Sequence, residues 1–391
     1  MLEAWLVALL AVATTGTVLL QGLPLLFAAQ MPRLGPPPES PALPTGPLVS
    51  VVLAARNEES DLGPALDGLL AQEYGPLEIL VVDGGSTDRT REVALARAPR
   101  VRLIDEPPLP PGWVGKNWAC HVGFQASHGG FVLFTDADMR YHPSTIGATV
   151  AWSDSEGADL TTLAPRVEAQ TFWEKLVLPL YVQLVLTYFR TPRVNRARSN
   201  AAMANGQFTL VRRAAYESVG GHEAVRGVVL EDVALARRFR AAGKRLRVAW
   251  APDLLVTRMY RDRHEMFEGL KKNVHDTRFS AARQVGFFAG LVGLFLLPLG
   301  VLPLGLATGS LVLTVLGAFV YLAWFAKHAL FARAIGMNAW YGLLFPLAVG
   351  FYLALVAASI GDGVRHRPVA WKGRAYAMDG SGSEPTGPAG P

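Results

Sequence analysis

The chain has almost no cysteine, since Cys120 is the single one among 391 residues. One thiol excludes an internal disulfide, and it also excludes the cysteine clusters that hold structural zinc. We expect Cys120 to be a small buried residue.

Charged side chains are missing from three long stretches, at residues 4–32, 284–326 and 334–361. Each is long enough to cross a bilayer, and the middle one could cross twice. The first stretch lacks a basic region before it and exceeds the apolar core of a signal peptide, which favours a retained anchor. We therefore predict a transmembrane anchor at residues 1–30 and a C-terminal transmembrane region at 284–361 with about three hydrophobic segments.

The expected spans leave a conflict in the topology. Spans near residues 285–304, 311–326 and 339–360 would leave the tail outside the cell. However, Arg365, Arg367, Lys372 and Arg374 make that tail basic, which favours the inside. We expect one Pro- or Gly-interrupted segment to be re-entrant. The protein should be a multi-pass protein of the cell (inner) membrane with a cytoplasmic catalytic domain. Residues 371–376 should lie on the catalytic face.

A net charge of +5 could suggest a nucleic-acid partner. Many of the basic residues lie beside apolar sequence instead, as in Arg193, Arg196, Arg198, Lys271, Lys272, Arg278 and Arg283. This pattern is typical of a membrane surface facing anionic lipid, so we expect the lipid bilayer as a partner and no nucleic acid. Residues 171–189 fit an interfacial helix, with an ordinary core helix as the alternative.

Strand and helix patterns alternate after a Pro-rich linker at residues 31–47. Strands are predicted at residues 48–54, 77–83, 101–105 and from 131, with helices at 61–70, 87–96 and 116–127 between them. This alternation favours a mostly parallel α/β sheet within a domain at residues 48–280. A further helix is predicted from 230 to 242, followed by strands at 246–249 and 254–260. The tail at 362–391 is basic and then rich in Gly, Ser and Pro, which is typical of disorder.

The strongest candidate site follows the strand from residue 131. Asp136 and Asp138 end that apolar run, one residue apart. An isolated Asp-x-Asp is usually a solvated turn, but two carboxylates closing a buried strand repel each other unless a cation lies between them. The pattern therefore indicates a site for Mg²⁺ or Mn²⁺ with a diphosphate, at the sheet edge where α/β proteins bind ligands.

Other polar residues are expected at the same edge. The first strand ends at Ala55 and leads to Glu58, and the second ends at Asp83 before a Gly-Gly turn. Lys116 stands near a helix start, where it could meet a phosphate or remain a solvated lysine. Asp232 could act as a base, although acidic residues in a first helical turn also simply complement the helix dipole.

Together these pieces resemble an inverting glycosyltransferase of family 2 with the GT-A fold, over about residues 48–260. The resemblance rests on Ala-Arg-Asn-Glu-Glu at 55–59, Val-Asp-Gly-Gly-Ser-Thr-Asp at 82–88, Lys116 with Ala119, Thr-Asp-Ala-Asp at 135–138, Asn-Gly-Gln-Phe at 205–208 and Glu231-Asp232. The subgroup is similar to membrane-bound hopene-associated and carotenoid glycosyltransferases. It is indicated by Pro-Gly-Trp-Val-Gly-Lys at 111–116, Gly-Gly-His at 220–222, Arg-Met-Tyr at 258–260 and Trp-Lys-Gly-Arg at 371–374.

The resemblance implies a role for each matching residue. Glu58 and Asp83 would contact the uracil and ribose of a UDP-sugar, Asp136 the ribose or diphosphate, Asp138 the metal, and Asp232 the acceptor hydroxyl as general base. Ala55 and Lys116 would belong to the donor site. Acceptor-side or other roles would fall to Gln207, Glu231, Arg258, Trp371 and Arg374.

Two departures from related families narrow the function. No Gln-x-x-Arg-Trp motif is present, which argues against a processive polymerase. Polyprenyl-phosphate sugar synthases carry Asp-Ala-Asp-x-Gln, and Arg140 stands at its last position here. The sequence favours transfer of one sugar to a lipid hydroxyl of hopanoid, carotenoid or glycerolipid type. The alternatives are a polyprenyl-phosphate acceptor, which Arg193, Arg196 and Arg198 could serve, and an inactive membrane scaffold.

Overall fold

The computed structural model describes residues 22–37, 46–274, 285–286, 288–290, 292–365, 369–371 and 374–376, together with Val12 and Gly16. The chain divides into two compact units. The α/β unit comprises Met31–Glu168, Phe189–Met259 and Pro368–Pro391, and the helical unit comprises Met1–Gln30, Ala169–Tyr188 and Tyr260–Arg367.

The strands of the α/β unit follow the predicted alternation. They are β1 (Val49–Ala55), β2 (Leu77–Asp83), β3 (Val101–Asp105), β4 (Phe131–Thr135), β5 (Met139–Tyr141), β6 (Leu160–Ala164), β7 (Arg166–Val167), β8 (Phe208–Arg212), β9 (Leu246–Trp250) and β10 (Leu255–Thr257), with a hairpin of β11 (Val369–Trp371) and β12 (Arg374–Tyr376). Seven of them form the main sheet, in the order β3-β2-β1-β4-β8-β6-β9. The four strands predicted first in the chain are confirmed and pair in parallel, because helices return the chain to the same end of the sheet.

The sheet is mostly rather than wholly parallel. Strand β8 runs antiparallel to both β4 and β6. The sequence pattern does not predict this strand. A second sheet, in the order β5-β10-β7, begins directly after Asp138. The predicted strand at 254–260 is shorter in the structure because the strands beside β10 offer only two or three residues to pair with.

The helices, in chain order, are α1 (Leu23–Ala29), α2 (Leu62–Leu70), α3 (Thr90–Leu95), α4 (Gly115–Gln125), α5 (Thr145–Ser155), α6 (Phe172–Tyr188), α7 (Arg213–Ser218), α8 (Glu231–Ala241), α9 (Arg263–Val274), α10 (Leu297–Thr308), α11 (Leu311–Ala334) and α12 (Phe345–Val364). Helix α8 has acidic residues in its first turn and arginines in its last, which matches the helix dipole. It ends just before Gly243, whose φ of +70° suits glycine at that position, as predicted.

Two helices of the helical unit, Leu311–Ala334 and Ala339–Gly363, are long and apolar enough to cross a membrane. They contain the segments predicted at 311–326 and 339–360. The segment predicted at 285–304 instead includes a π-helical turn, Val292–Leu296, and the short helix α10. Helices α10 and α11 approach closely, since a Cβ on Gly317 would lie 2.4 Å from the Cα of Leu302. Small residues permit such contacts between apolar helices.

Helix α6 lies where the sequence placed either an interfacial or a core helix. Within the helical unit its Trp173 packs on Phe351, with ring centroids 5.6 Å apart. Several of its positions, such as Leu178 and Gln183, are buried.

The predicted N-terminal anchor and linker are described only in part. Residues 1–11, 13–15, 17–21 and 38–45 of these two segments, and residues 377–391 of the tail, lie outside the described residues. The start of the linker is not a free spacer, because Arg33 forms a parallel bridge with Trp250 at the edge of β9. The backbone N–H of Leu34 donates to the Trp250 carbonyl at 2.9 Å, and the Trp250 N–H donates to the Pro32 carbonyl at 2.8 Å.

Candidate active site

The candidate site lies at the carboxyl ends of β1, β2 and β4. Strand β4 is buried along its whole length and ends at Thr135. Ala137 is fully buried in the core, whereas Asp136 and Asp138 on either side of it are half-buried. Residues 137 and 138 form a turn after β4, and in it both carboxylates are more exposed than Ala137 between them. We call Asp136 and Asp138 the first acidic pair.

Lys116 joins this pair to a second one. The Nζ atom of Lys116 lies 2.7 Å from Asp136 Oδ1 and 3.1 Å from Glu231 Oε1. Helix α4 begins at Gly115, so Lys116 stands in its first turn, as the sequence predicts. Burial opposes the positive charge, but Asp136 and Glu231 outweigh it and hold the pKa of Lys116 well above its usual range. The lysine is therefore charged at neutral pH.

Glu231 and Asp232, the second acidic pair, open helix α8. Asp232 Oδ2 accepts the backbone N–H of Gly206 at 2.7 Å, and Asp232 Oδ1 accepts the N–H of Val233 at 2.7 Å. A Cβ at Gly206 would lie 2.9 Å from Lys116 Nζ and 3.3 Å from Asp232 Oδ2. Glycine at this position thus lets the loop after residue 205 approach both charged groups.

The electrostatic setting of Asp232 suits a general base. Burial, followed by the negative charge of Glu231, raises the pKa of Asp232 to about 7, and the positive charge of Lys116 opposes that rise. A carboxyl group with a pKa near neutrality can take up a proton during a reaction and release it afterwards.

Asp138 is held by neutral donors. Thr257 Oγ1 donates to Asp138 Oδ2 at 2.9 Å, and Gln207 Nε2 lies 3.5 Å from the same oxygen. Burial, followed by the charge of Asp136, raises the pKa of Asp138 to about 7, while the Thr257 hydrogen bond opposes the rise. Asp138 Oδ1 is buried and has no hydrogen-bond partner within the described part of the chain. An unpartnered carboxylate oxygen of this kind is available to a cation.

The residues present fit a divalent ion that arrives with a diphosphate. Among the described residues, no group of three or more His, Cys, Asp or Glu side chains is placed to hold a metal alone. Mg²⁺ is commonly bound by one or two carboxylates, with phosphate oxygens and water completing its shell. The open oxygen of Asp138 and the nearby Asp136 supply such a partial set.

The loops after β1 and β2 are tied together at the same edge. Ala55 ends β1, and its carbonyl accepts the Gly84 N–H at 2.8 Å. Asn57 has a φ of +53°, and its Oδ1 accepts the Thr87 N–H at 2.8 Å. Glu58 is half-buried beside these contacts, and its negative charge contributes to the raised pKa of Asp138. The two loops therefore form one surface next to the first acidic pair.

Asp83 has protein partners at the end of β2. Its carboxylate accepts the Ser86 N–H at 3.2 Å and pairs with Arg91 at 3.0 Å. Arg91 also pairs with Asp105 of the neighbouring strand. The side chain of Asp83 is only 1% exposed, and these contacts tie it to the loop after β2. Its predicted contact with a nucleotide stays a prediction.

The remaining predicted residues differ in how close the structure brings them to the acidic pairs. Gln207 lies against the first acidic pair, and its Nε2 also donates to Thr257 Oγ1 at 3.1 Å. Arg258 follows Thr257 directly and is half-buried. Trp371 and Arg374 are paired in the backbone register of the β11–β12 hairpin, which belongs to the α/β unit.

Sequence reasoning missed three residues of this region. Thr257 lies 119 positions after Asp138 and carries no motif of its own, so only the fold brings them together. Arg91 gave no signal beyond a helical pattern. Asn117, next to Lys116, is fully buried and donates to the segment that precedes Glu231, although it reads as an ordinary polar helical residue.

Comparison with known proteins identifies a family profile, relatives and a similar fold. Residues 50–220 match the sequence profile of Glycosyl transferase family 2. The chain is 24% identical over 345 residues to 4,4'-diaponeurosporenoate glycosyltransferase of Staphylococcus aureus strain MRSA252, covering 84% of this chain and 88% of that protein. The same enzyme from the bovine strain RF122 / ET3-1 is 23% identical over the same shares.

A solved structure with a similar fold is a mannosyltransferase from Pyrobaculum calidifontis in complex with GDP-Man and Mn²⁺. The two superpose with a TM-score of 0.54 at 19% identity, over 90% of this chain and 98% of that one. This similarity shows a shared fold, and the expected GT-A architecture is confirmed.

Proposed function

We propose that this chain, whose residues 50–220 match the profile of Glycosyl transferase family 2, moves one sugar from a nucleotide-sugar to a lipid acceptor at a membrane, with inversion at the anomeric carbon. The observation that carries the proposal is the position of Lys116, which contacts Asp136 after β4 and Glu231 at the start of α8. Donor-side and acceptor-side candidates thereby meet at one cluster, as a one-step displacement requires.

On the donor side, the chain offers a place for a nucleoside diphosphate. Glu58 and Asp83 would bind the base and ribose, and Asp136 and Lys116 the diphosphate. A divalent ion held through Asp138 would supply charge neutralisation for the leaving diphosphate. Lys116 adds a positive charge at the same place, in a partly buried setting that strengthens its attraction to phosphate oxygens. Mn²⁺ in the archaeal mannosyltransferase supports a divalent ion, and either Mg²⁺ or Mn²⁺ suits these oxygen ligands.

On the acceptor side, Asp232 would take the proton of the attacking hydroxyl. Its raised pKa matches this task, and Gly206 and Val233 hold its two oxygens through backbone N–H groups. Glu231 stays paired with Lys116 and keeps that lysine beside the leaving group. Gln207 and Arg258 would line the approach of the acceptor.

The acceptor we propose is a membrane lipid of hopanoid, carotenoid or glycerolipid type. Support comes from the two apolar helices and from the names of the staphylococcal relatives, which act on a carotenoid-type compound. Two full crossings, with α10 as a re-entrant segment, would return the chain to the face from which it entered. The basic tail and the α/β unit would then share the cytoplasmic face. An engineered cysteine at 371–376 that reacts only from outside the cell would contradict this topology.

A second acceptor chemistry is favoured by one specific observation. The compound named for the relatives, 4,4'-diaponeurosporenoate, is by its name a carboxylate. A carboxylate is already ionised at neutral pH and needs no base, whereas a hydroxyl does. Asp232→Asn should therefore slow transfer to a hydroxyl lipid by roughly 10²- to 10⁴-fold and spare transfer to a carboxylic-acid lipid, which identifies the acceptor class.

The proposal is tested with purified full-length protein in lipid nanodiscs. UDP- and GDP-sugars are supplied with Mg²⁺ or Mn²⁺ and with extracted lipids, and products are identified by mass spectrometry. We expect a glycolipid that carries one sugar, forms only with a divalent ion and has inverted anomeric configuration by NMR. An acid-labile phosphodiester would indicate a polyprenyl-phosphate acceptor instead, and no transfer from any donor would support the inactive scaffold.

A further inference from the structure

We propose that Asn117 is a positioning residue, which fixes the segment at residues 225–230 and thereby sets the place of Asp232. The role rests on the proposed function, because it matters only if Asp232 acts on the acceptor. Asn117 itself does not touch the carboxylates of the site. It acts through the backbone of the segment that leads into helix α8.

The contacts of Asn117 are directed at one short stretch of backbone. Its Nδ2 donates to the carbonyls of Val225 at 2.8 Å, Arg226 at 3.0 Å and Val228 at 2.9 Å. The side chain is fully buried, and its partners lie 108 to 111 positions further along the chain. The segment enters α8 three residues after Val228, so a shift there moves Asp232 directly.

A second contact fixes the same stretch from the same side. The N–H of Val114, immediately before helix α4, donates to the Arg226 carbonyl at 2.8 Å. A Cβ on Gly227 would lie 3.2 Å from the carbonyl oxygen of Gly112, so the two loops are in close contact. Helix α4 therefore carries Lys116, which pairs with Glu231, and Asn117, which holds the approach to it.

Within the described part of the chain, the side-chain amide of Asn117 uses its N–H groups but not its oxygen. Its Oδ1 is buried without a partner among the described residues, which is a cost for the fold. Its two N–H groups are shared among three carbonyls of a segment that is mostly irregular. The carbonyls of Val225 and Arg226 also accept backbone N–H groups, from Val228 and Val114, so the amide of Asn117 joins these existing contacts and adds the carbonyl of Val228 to them.

Asn117→Asp tests this role because it keeps the shape and replaces the donor with an acceptor facing three carbonyls. Asn117→Ala removes the hydrogen bonds without adding charge and serves if the aspartate variant does not fold. Gln72→Glu is the matched control, since Gln72 Nε2 donates to the carbonyls of Gly68 and His142 at 2.9 and 2.8 Å in a part of the unit without candidate residues. Full-length variants are compared by hydrogen–deuterium exchange, by binding of UDP or GDP with Mn²⁺, and by steady-state kinetics.

We expect faster exchange at residues 225–233 in both Asn117 variants, with binding of nucleotide and Mn²⁺ unchanged. Since a displacement of about 1 Å can cost roughly 100-fold in rate, kcat should fall by about that factor while the donor KM stays constant. Gln72→Glu should change neither kcat nor exchange at 225–233.

Unchanged exchange at 225–233 would overturn the proposal, and so would faster exchange with a normal kcat. An equal loss of nucleotide binding would also overturn it, because Asn117 would then act on the donor side. Asp232→Asn is measured in parallel with a hydroxyl acceptor. If that variant keeps full turnover, the proposed base fails, whereas the exchange data still report whether Asn117 holds the segment.

Discussion

Each of the two acidic pairs of the site has two carboxylates, but the pairs have different partners. In each pair one carboxylate, Asp136 or Glu231, is bound to Lys116. The other, Asp138 or Asp232, has a pKa near 7 and is held by neutral donors. Asp232 has both oxygens on backbone N–H groups, whereas Asp138 keeps one buried oxygen without a partner in the described part of the chain.

This difference suits the two residues to the different roles proposed for them. A carboxylate fixed through both oxygens has a defined direction and can accept a proton repeatedly. A carboxylate with an unused oxygen lacks a ligand, and a cation would satisfy it. Lys116 connects the two sites, so its charge influences both pKa values in the same direction.

The largest effect is expected for Asp232→Asn with a hydroxyl acceptor. Removing the base should lower kcat by roughly 10²- to 10⁴-fold, since that is the usual worth of general-base help. Binding of nucleotide with Mn²⁺, measured by calorimetry, should be unchanged. If binding were lost as well, the two acidic pairs would not be functionally distinct.

Lys116→Met should lower kcat by about 10²- to 10³-fold, because it removes a charge from the leaving group. It should also change the pH profile. The positive charge of Lys116 lowers the pKa of Asp232, so its removal raises that pKa further. The base form is lost as pH falls through the pKa, near 7 in the unaltered protein, and the acid limb should therefore move to higher pH in the variant.

Rates measured from pH 5 to 9 would show this shift. Lys116→Arg serves as the control, because it keeps the charge and should leave the acid limb near its original position. An acid limb that stays in place in Lys116→Met would mean that another group titrates.

Asp138→Asn should act on binding first. Loss of a residue that hydrogen-bonds to a metal ligand typically lowers metal affinity by about 10- to 100-fold. Loss of the ligand itself should therefore weaken Mn²⁺-dependent nucleotide binding by at least about 100-fold. Manganese EPR with and without nucleotide would measure it. Normal metal-dependent binding in this variant would contradict the assignment of the open oxygen.

The smallest effect is expected for Thr257→Val, which removes the hydroxyl that donates to Asp138 and keeps the side-chain shape. Loss of a hydrogen bond to a charged group is worth about 1.5 kcal/mol, or roughly 10-fold in affinity for Mn²⁺ with nucleotide. Thr257→Ser, which retains the hydroxyl, should restore most of the affinity. Equal affinities for the valine and serine variants would show that this hydrogen bond does not orient Asp138.

The sequence predicts the parallel half of the sheet well because its strands are short, buried and separated by amphipathic helices. It also predicts the edge at which Asp136, Lys116 and Asp232 meet, since the carboxyl ends of parallel strands converge. It does not predict β8, whose antiparallel direction depends on long-range pairing with β4 and β6. The sequence also does not predict the roles of Thr257 and Asn117, because their partners lie more than a hundred residues away.

The sequence predicts that apolar helices are present more accurately than it predicts their lengths. The predicted span at residues 311–326 ends before the first charged residue, Lys327. Helix α11 continues through Lys327 to Ala334. The helix continues because internal backbone hydrogen bonds do not depend on side-chain charge.

The bridge between Arg33 and Trp250 has a consequence for how copies of the protein behave in solution. Strand β9 is the last strand of the main sheet, and an uncovered edge strand is a template for association with another chain. Residues 32–34 occupy part of the hydrogen-bonding row that such a strand would use. A shortened protein that begins at residue 31 keeps this protection, whereas one that begins at residue 48 exposes the backbone groups of Trp250 in that row and should aggregate more readily.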